Sequence, residues 1–193
     1  PYGMPVTDSI SEKLLNSLSK TANYKIRCEE IRKWNKKNKF IKKGIGFNPV
    51  KFGISFTLTH LNQAGALVHV YMDGSIYLNH GGTEMGQGLF VKMAQVAAKS
   101  FGVDLSKIKI SATDTSKIPN TSATAASSGS DLNGMATKIA CEKIIKRIKS
   151  ALSNQYGVTE PKIRFENNTI YLHDTIITFS EGVKFAYETR ISF

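Results

Sequence analysis

The sequence predicts an α+β fold, with mixed sheets and packed helices. Strand-type runs cluster between residues 45 and 78, helical periodicity stands apart from them on either side, and no internal repeat is present. At 193 residues, 41% apolar and 21% charged, the composition is that of a globular protein able to bury a substantial core.

The elements follow in order. Ser9-Ile10-Ser11-Glu12 has capping-box spacing ahead of Leu14, Leu15 and Leu18, which predicts a short helix there. A second helix is expected from Thr21 to about Lys37, with Tyr24, Cys28, Ile31 and Trp34 or Asn35 on one face. Gly44 breaks that pattern. Ile45–Phe47 and Ile54–Leu58 read as strands, and Ala66–Tyr71 meets Ser75–Leu78 across Asp73-Gly74, a two-residue hairpin signal. Leu89, Met93, Val96, Ala97 and Phe101 recur at helical spacing and stop at Gly102. Ile108–Ile110 is a short strand, and residues 111–130 hold no regular element. Asp131 is expected to cap a long helix through Met135, Ile139, Ile145, Ile148 and Leu152. Lys162–Phe165 and Thr169–His173 are strands around an Asn167-Asn168 turn, and Ser180-Glu181 opens a last helix.

Charge and composition exclude several classes. No apolar run approaches the roughly 18–20 residues that span a bilayer. The opening Pro1-Tyr2-Gly3-Met4-Pro5 lacks the marks of a signal peptide and reads as the start of an excised piece. Two distant cysteines, Cys28 and Cys141, argue against a disulfide scaffold or zinc module, and a reducing cytoplasm is the expected location. The net charge of +11 is uneven: residues 1–51 hold 12 Lys/Arg against 4 Asp/Glu. With Trp34 and Phe40 interleaved among the lysines of 25–43, a nucleic-acid footprint is one reading. A solvated face, or one docking on an acidic partner, is the plainer one. The histidines His60, His69, His80 and His173 show no metal-ligand spacing and read as structural or surface residues. Ser127 and Ser128 lack a nucleophile elbow and Cys141 sits among apolar neighbours, so a hydrolase is not indicated.

Two loops carry the chemistry. Gly81-Gly82-Thr83-Glu84-Met85-Gly86-Gln87-Gly88 lies between a strand and a helix, where glycines let backbone approach a ligand and the helix start at Gly88-Leu89 suits an anion. It matches neither a Walker A nor a dinucleotide fingerprint. Residues 120–130, Asn-Thr-Ser-Ala-Thr-Ala-Ala-Ser-Ser-Gly-Ser, carry six hydroxyls and no charge. Such a run can surround a polar ligand with hydrogen bonds but no fixed countercharge.

These loops, with Lys51-Phe52-Gly53-Ile54-Ser55-Phe56-Thr57 and Leu61-Asn62-Gln63-Ala64-Gly65-Ala66, resemble the xanthine dehydrogenase family. The likeness is to the molybdenum-cofactor-binding part of these molybdenum hydroxylases, the large subunit in bacterial forms. It runs in one register from about Lys42 to Lys149, and the Phe-Gly-Ile-Ser-Phe-Thr segment favours this family over the related aldehyde oxidases. The resemblance implies purine hydroxylation, hypoxanthine or xanthine to urate, with oxygen from water at a molybdenum-molybdopterin centre. It implies that Gly86, Gln87, Thr124, Ala125, Ala126, Ser127 and Ser130 contact the cofactor. Phe56 would pack edge-on against the purine, and Thr57 would hydrogen-bond it.

The family's general-base glutamate sits in a Gly-Glu-Pro-Pro-like motif that this sequence lacks, and Glu181-Gly182 reads instead as a first helical turn. No catalytic residue is therefore assigned. The chain is expected to be an internal fragment, inactive alone: residues 1–43 a basic helical segment, 44–193 a cofactor-binding α/β segment incomplete at its C-terminus. FAD and 2Fe-2S clusters are expected on absent domains or on a partner subunit of a hetero-oligomer. No membrane partner is expected. A nucleic-acid-binding module and a non-catalytic cofactor carrier stand as the alternatives.

Overall fold

The computed structural model describes residues 5–50, 52–117 and 121–191. The expected contributions of Lys51, Pro119 and Asn120 thus lie outside the described residues. The chain divides into two compact units, residues 1–52 and 53–193.

The first unit holds α1 (Ser11–Thr21) and α2 (Tyr24–Lys37), neither with a fully buried side chain. Helix α1 forms where its leucines predict, but Ile10 is its N-cap and no side chain caps it. The Ser9/Glu12 capping box is therefore not made. Along α2 the partly covered face is Tyr24, Cys28, Ile31 and Asn35, while Trp34 points outward. Asn35 pins the returning chain: its Nδ2 donates to the Lys43 carbonyl (2.9 Å) and its Oδ1 accepts from the Lys43 N–H (2.8 Å). Lys43 Nζ then lies 3.8 Å from the Trp34 ring centroid, and the Phe47 ring lies 4.3 Å from that of Tyr24, tilted by 43°. The strand expected at Ile45–Phe47 does not form: Phe47 packs on Tyr24, and no strand among the described residues pairs with this segment.

The second unit has two three-stranded sheets. The first, ordered β1-β2-β3, comprises β1 (Ala66–Val70), β2 (Ile76–His80) and β3 (Ile108–Ile110). Strand β2 pairs antiparallel with β1 and parallel with β3, the parallel step being made through α3 (Leu89–Phe101). The β1–β2 hairpin forms where expected, but its turn is longer than two residues. Tyr71 accepts from the Gly74 N–H and donates to the Ser75 carbonyl, both 2.8 Å, with Gly74 at φ +80°. That is a three-residue loop closed by a left-handed glycine. Residues 54–58 form no strand either; side-chain hydrogen bonds, described below, take their backbone groups instead.

Helix α4 (Gly129–Tyr156) starts two residues before the expected cap. Ser128 is its N-cap, and Asp131 lies in the first turn. Its buried face is also shifted. Asn133, Thr137, Cys141, Ile144, Ile148 and Leu152 turn inward, whereas Met135 and Ile139 remain 55% and 45% exposed. Close packing explains this: the α4 backbone at Gly134 approaches Met93 of α3, and Thr137 meets the Met93 sulfur at 3.9 Å. At such an approach small residues fit and long apolar ones are displaced to the other face. The core is continuous from Val68, Val70, Ile76 and Leu78, through Met93, Ala97 and Phe101, to Ile144, Ile148 and Leu152.

The second sheet runs β4 (Ile163–Glu166), β5 (Thr169–Leu172) and β6 (Thr175–Thr178), all antiparallel. Strand β6, Thr-Ile-Ile-Thr, is a β-branched run that the sequence reading passed over. It leads into α5 (Phe179–Glu188), whose capping box pairs Thr178 with Glu181. Glu181 thus sits in the first turn of the helix, as its sequence predicts. Phe179 links α3 to the second sheet, its ring 5.7 Å from Phe101 and 6.2 Å from Phe165. Among the described residues no helix is long and apolar enough to cross a membrane.

Candidate cofactor-binding site

The glycine loop leaves β2 at His80, which is fully buried. Its Nδ1 accepts the Gly82 N–H at 3.1 Å, which places the ring proton on Nε2, and Phe90 meets the ring edge-on at 5.1 Å. Burial holds this imidazole below its ordinary pKa, against a smaller opposite pull from Glu84. The Thr113 hydroxyl spans the His80 and Gly82 carbonyls at 3.0 and 2.8 Å, so strand end and loop are fixed together.

Glu84 occupies the start of α3. Its carboxylate accepts N–H groups of Gly86 (2.9 Å), Gly88 (3.0 Å) and Phe90 (2.9 Å). The Phe90 bond is the largest cause of its lowered pKa, aided by the Gly88, Gly86 and Leu89 amides. The amides expected to receive a ligand's anion therefore already hold an internal one. Gln87 is likewise turned into the loop: its Oε1 accepts from the Met85 N–H (2.6 Å) and its Nε2 donates to the Thr83 carbonyl (2.8 Å).

The hydroxyl loop is bound to the glycine loop at two points. Thr83 N–H donates to Thr124 Oγ1 at 2.8 Å. Gly81 lies so near Thr121 that a Cβ there would fall 2.1 Å from Thr121 Oγ1. Ala126 and Ser127 take φ +51° and +53° in succession. Left-handed backbone at two non-glycine residues costs about 1–2 kcal/mol each, strain that collects at ligand-holding segments.

Between the loops opens a cleft of about 310 Å³. Gln87, Leu89 and Lys92 line one wall, and Thr124, Ser127 and Ser130 the other. Five expected cofactor residues, Gln87, Thr124, Ala125, Ser127 and Ser130, thus converge, while Gly86 and Ala126 stand beside the cleft rather than on its wall. Neither the Ser127 nor the Ser130 hydroxyl has a partner among the described residues, so both face the cleft free.

The expected substrate residues lie behind the hydroxyl loop. Ser55 N–H donates to the Ala126 carbonyl at 2.9 Å. Asn62 then clamps Phe56, Oδ1 accepting its N–H (2.8 Å) and Nδ2 donating to its carbonyl (2.9 Å). The Ser122 hydroxyl and N–H bond the Leu61 and Gln63 carbonyls, completing the brace. Phe56 is half-buried, Thr57 is exposed, and neither lines the cleft. Asn62, Thr113, Glu84 and Lys92 carry roles that the sequence alone does not point to. Only the placement of Lys92 is readable, three residues after Leu89 and so on its face of α3.

The residues present suit a polar, phosphate-bearing pterin. Free hydroxyls and a lysine face one cavity, and the walls carry no carboxylate among the described residues. No group of three or more His, Cys, Asp or Glu side chains that could hold a metal ion occurs among the described residues. The chain belongs to the molybdopterin cofactor-binding domain family, which matches residues 17–193. Its relatives carry a more particular name. It is 57% identical over 172 residues to the xanthine dehydrogenase/oxidase of Gallus gallus, covering 88% of this chain and 13% of that protein. It is 51% identical over 148 residues to the xanthine dehydrogenase of Dictyostelium discoideum, covering 77% and 11%. The chain therefore spans about an eighth of the curated relatives it matches. Quinoline 2-oxidoreductase from Pseudomonas putida 86 shares the fold at TM-score 0.62 and 22% identity, over 66% of this chain and 16% of that one. A reconstituted CO dehydrogenase from Oligotropha carboxidovorans does so at 0.59 and 22%, over 67% and 16%.

Proposed function

We propose that this chain is the molybdopterin-binding segment of a xanthine dehydrogenase that hydroxylates hypoxanthine and xanthine to urate. The observation that carries the reading is the cleft, where residues of the glycine loop and of the hydroxyl loop line one cavity and the latter presents the unpaired Ser127 and Ser130 hydroxyls to it. The identity to proteins named xanthine dehydrogenase supports the purine substrate, and disfavours a nucleic-acid-binding module. Thr124, Ser127 and Ser130 would hold the pterin and its phosphate end by hydrogen bonds, with the backbone of Gly86, Ala125 and Ala126 close against it. When bound, the cofactor supplies the two-electron oxidation and the oxygen-transfer chemistry. This chain's own residues bind and orient. Phe56, fixed by Asn62, would offer a ring edge to the planar purine, an arrangement that adds roughly 0.5–1.5 kcal/mol beyond burial. Thr57 would hydrogen-bond the same ring. No general base is assigned here, so the isolated chain is expected to be inactive; base catalysis alone contributes about 10²–10⁴-fold. FAD and 2Fe-2S centres would lie elsewhere in the enzyme or on a partner subunit. Two free thiols accord with a reducing cytoplasm.

The test uses the full-length enzyme that contains this segment. Thr124→Val with Ser127→Ala should lower molybdenum, measured by elemental analysis, and pterin, measured by fluorescence after oxidative release. Phe56→Ala should leave both near wild type while weakening purine turnover. Full cofactor in the hydroxyl variant, or lost molybdenum with normal turnover per molybdenum in Phe56→Ala, would overturn the assignment.

A further inference from the structure

We infer that Lys92 is the cation that receives the phosphate end of the cleft's ligand. The inference rests on the reading of the cleft as a molybdopterin site.

Three observations carry it. First, the amides at the start of α3 are not available to a second anion, since Glu84 accepts from Gly86, Gly88 and Phe90. The same carboxylate repels a phosphate placed beside it. Second, Lys92 lies three residues beyond Leu89 on α3, and both side chains line the cleft. It is the single charged group on the cleft's walls among the described residues. Lys117, Lys138 and Lys184 are engaged with carboxylates, whereas Lys92 has no ion pair among the described residues. Third, the facing wall supplies what a phosphate needs besides charge. Ser127 and Ser130 present unpaired hydroxyls, at the point where α4 begins with no side chain capping it. An ammonium is a strongly hydrated point charge on a flexible stem, suited to phosphate without demanding one fixed geometry. The hydroxyl loop thus orients the ligand, and Lys92 adds the countercharge that this loop lacks.

Two measurements test this. In the first, inorganic phosphate is titrated into the 193-residue chain and the backbone amides are followed by NMR. Wild type should shift Ser127 and Ser130, Lys92→Gln should weaken phosphate about tenfold, and Lys92→Arg should retain most of the affinity. Lys99→Gln, the same charge loss two turns along α3, should leave affinity unchanged. Equal weakening by Lys92→Gln and Lys99→Gln, or shifts confined to residues 86–89, would overturn the inference. In the second, pterin content is measured in the full-length enzyme. A fall in Lys92→Gln with recovery in Lys92→Arg supports it. Unchanged pterin in Lys92→Gln, with a fall in Ser127→Ala, overturns the role of Lys92 and leaves the site standing. Lys92-dependent phosphate shifts with pterin indifferent to both loops would instead sink the reading of the cleft, and the inference with it.

Discussion

Gly81→Ala probes the seam that joins the two loops. A methyl group at Gly81 would fall 2.1 Å from Thr121 Oγ1, 2.3 Å from its Cγ2 and 2.4 Å from its Cβ. No rotamer of Thr121 relieves all three contacts, because its Cβ is fixed by the backbone. The hydroxyl loop must retreat by about 1 Å, an overpacking that costs roughly 1–3 kcal/mol. For a chain of this size that corresponds to a fall of about 2–12 °C in Tm. The expected result is a lower urea midpoint with an unchanged m-value, and a less protected Thr83 amide as its bond to Thr124 lengthens. Thr121→Gly should restore most of the loss in the double variant. Thr121 Oγ1 is buried with no partner among the described residues, so its removal gives up no hydrogen bond there; the chain entropy of a new glycine, about 0.5–1 kcal/mol, opposes recovery. If Gly81→Ala matches wild type, or if Thr121→Gly does not rescue it, the loops are not joined as described.

Three further outcomes follow from the same geometry. His80 has its pKa held below 6.5 by burial, so the unfolded chain binds the extra proton. Stability from this group is complete above about pH 6.5 and is lost as pH falls through the folded-state value; urea midpoints should rise from pH 5 to 7, and His80→Gln should flatten that rise. Cys141 is buried, with its thiol pushed up to about 12; iodoacetamide at pH 8 should modify Cys28 in the native chain and Cys141 only after unfolding, as mass spectrometry would read. Ala126→Gly relieves a left-handed residue at φ +51° and should stabilise the chain by about 0.5–1 kcal/mol in urea melts, once glycine's entropy is deducted. Destabilisation there would mean that the loop is not strained at that residue.

The elements that sequence made legible were those whose signals are local. Helix α3 stops at Gly102, at φ +63°, and the Asn167-Asn168 turn sits between β4 and β5; both depend on backbone chemistry confined to a few residues. What escaped depends on partners distant in the chain. Residues 54–58 have strand composition, but Asn62 and Ala126 claim their backbone groups. Met135 and Ile139 have core spacing, yet the α3–α4 approach at Gly134 turns that face outward. In the site, residue types point to a polar ligand, and five of the residues expected to meet it line one cleft. That Glu84 would hold the loop's own amides was not readable, since an acid two residues before a glycine looks the same whether it turns in or out.

Glu84 bears on the order of events during maturation. Because the loop supplies its own negative group, its bends are set while the chain folds, before any guest arrives. Ordering this segment then draws on its own carboxylate, and no binding energy of a ligand is needed for it.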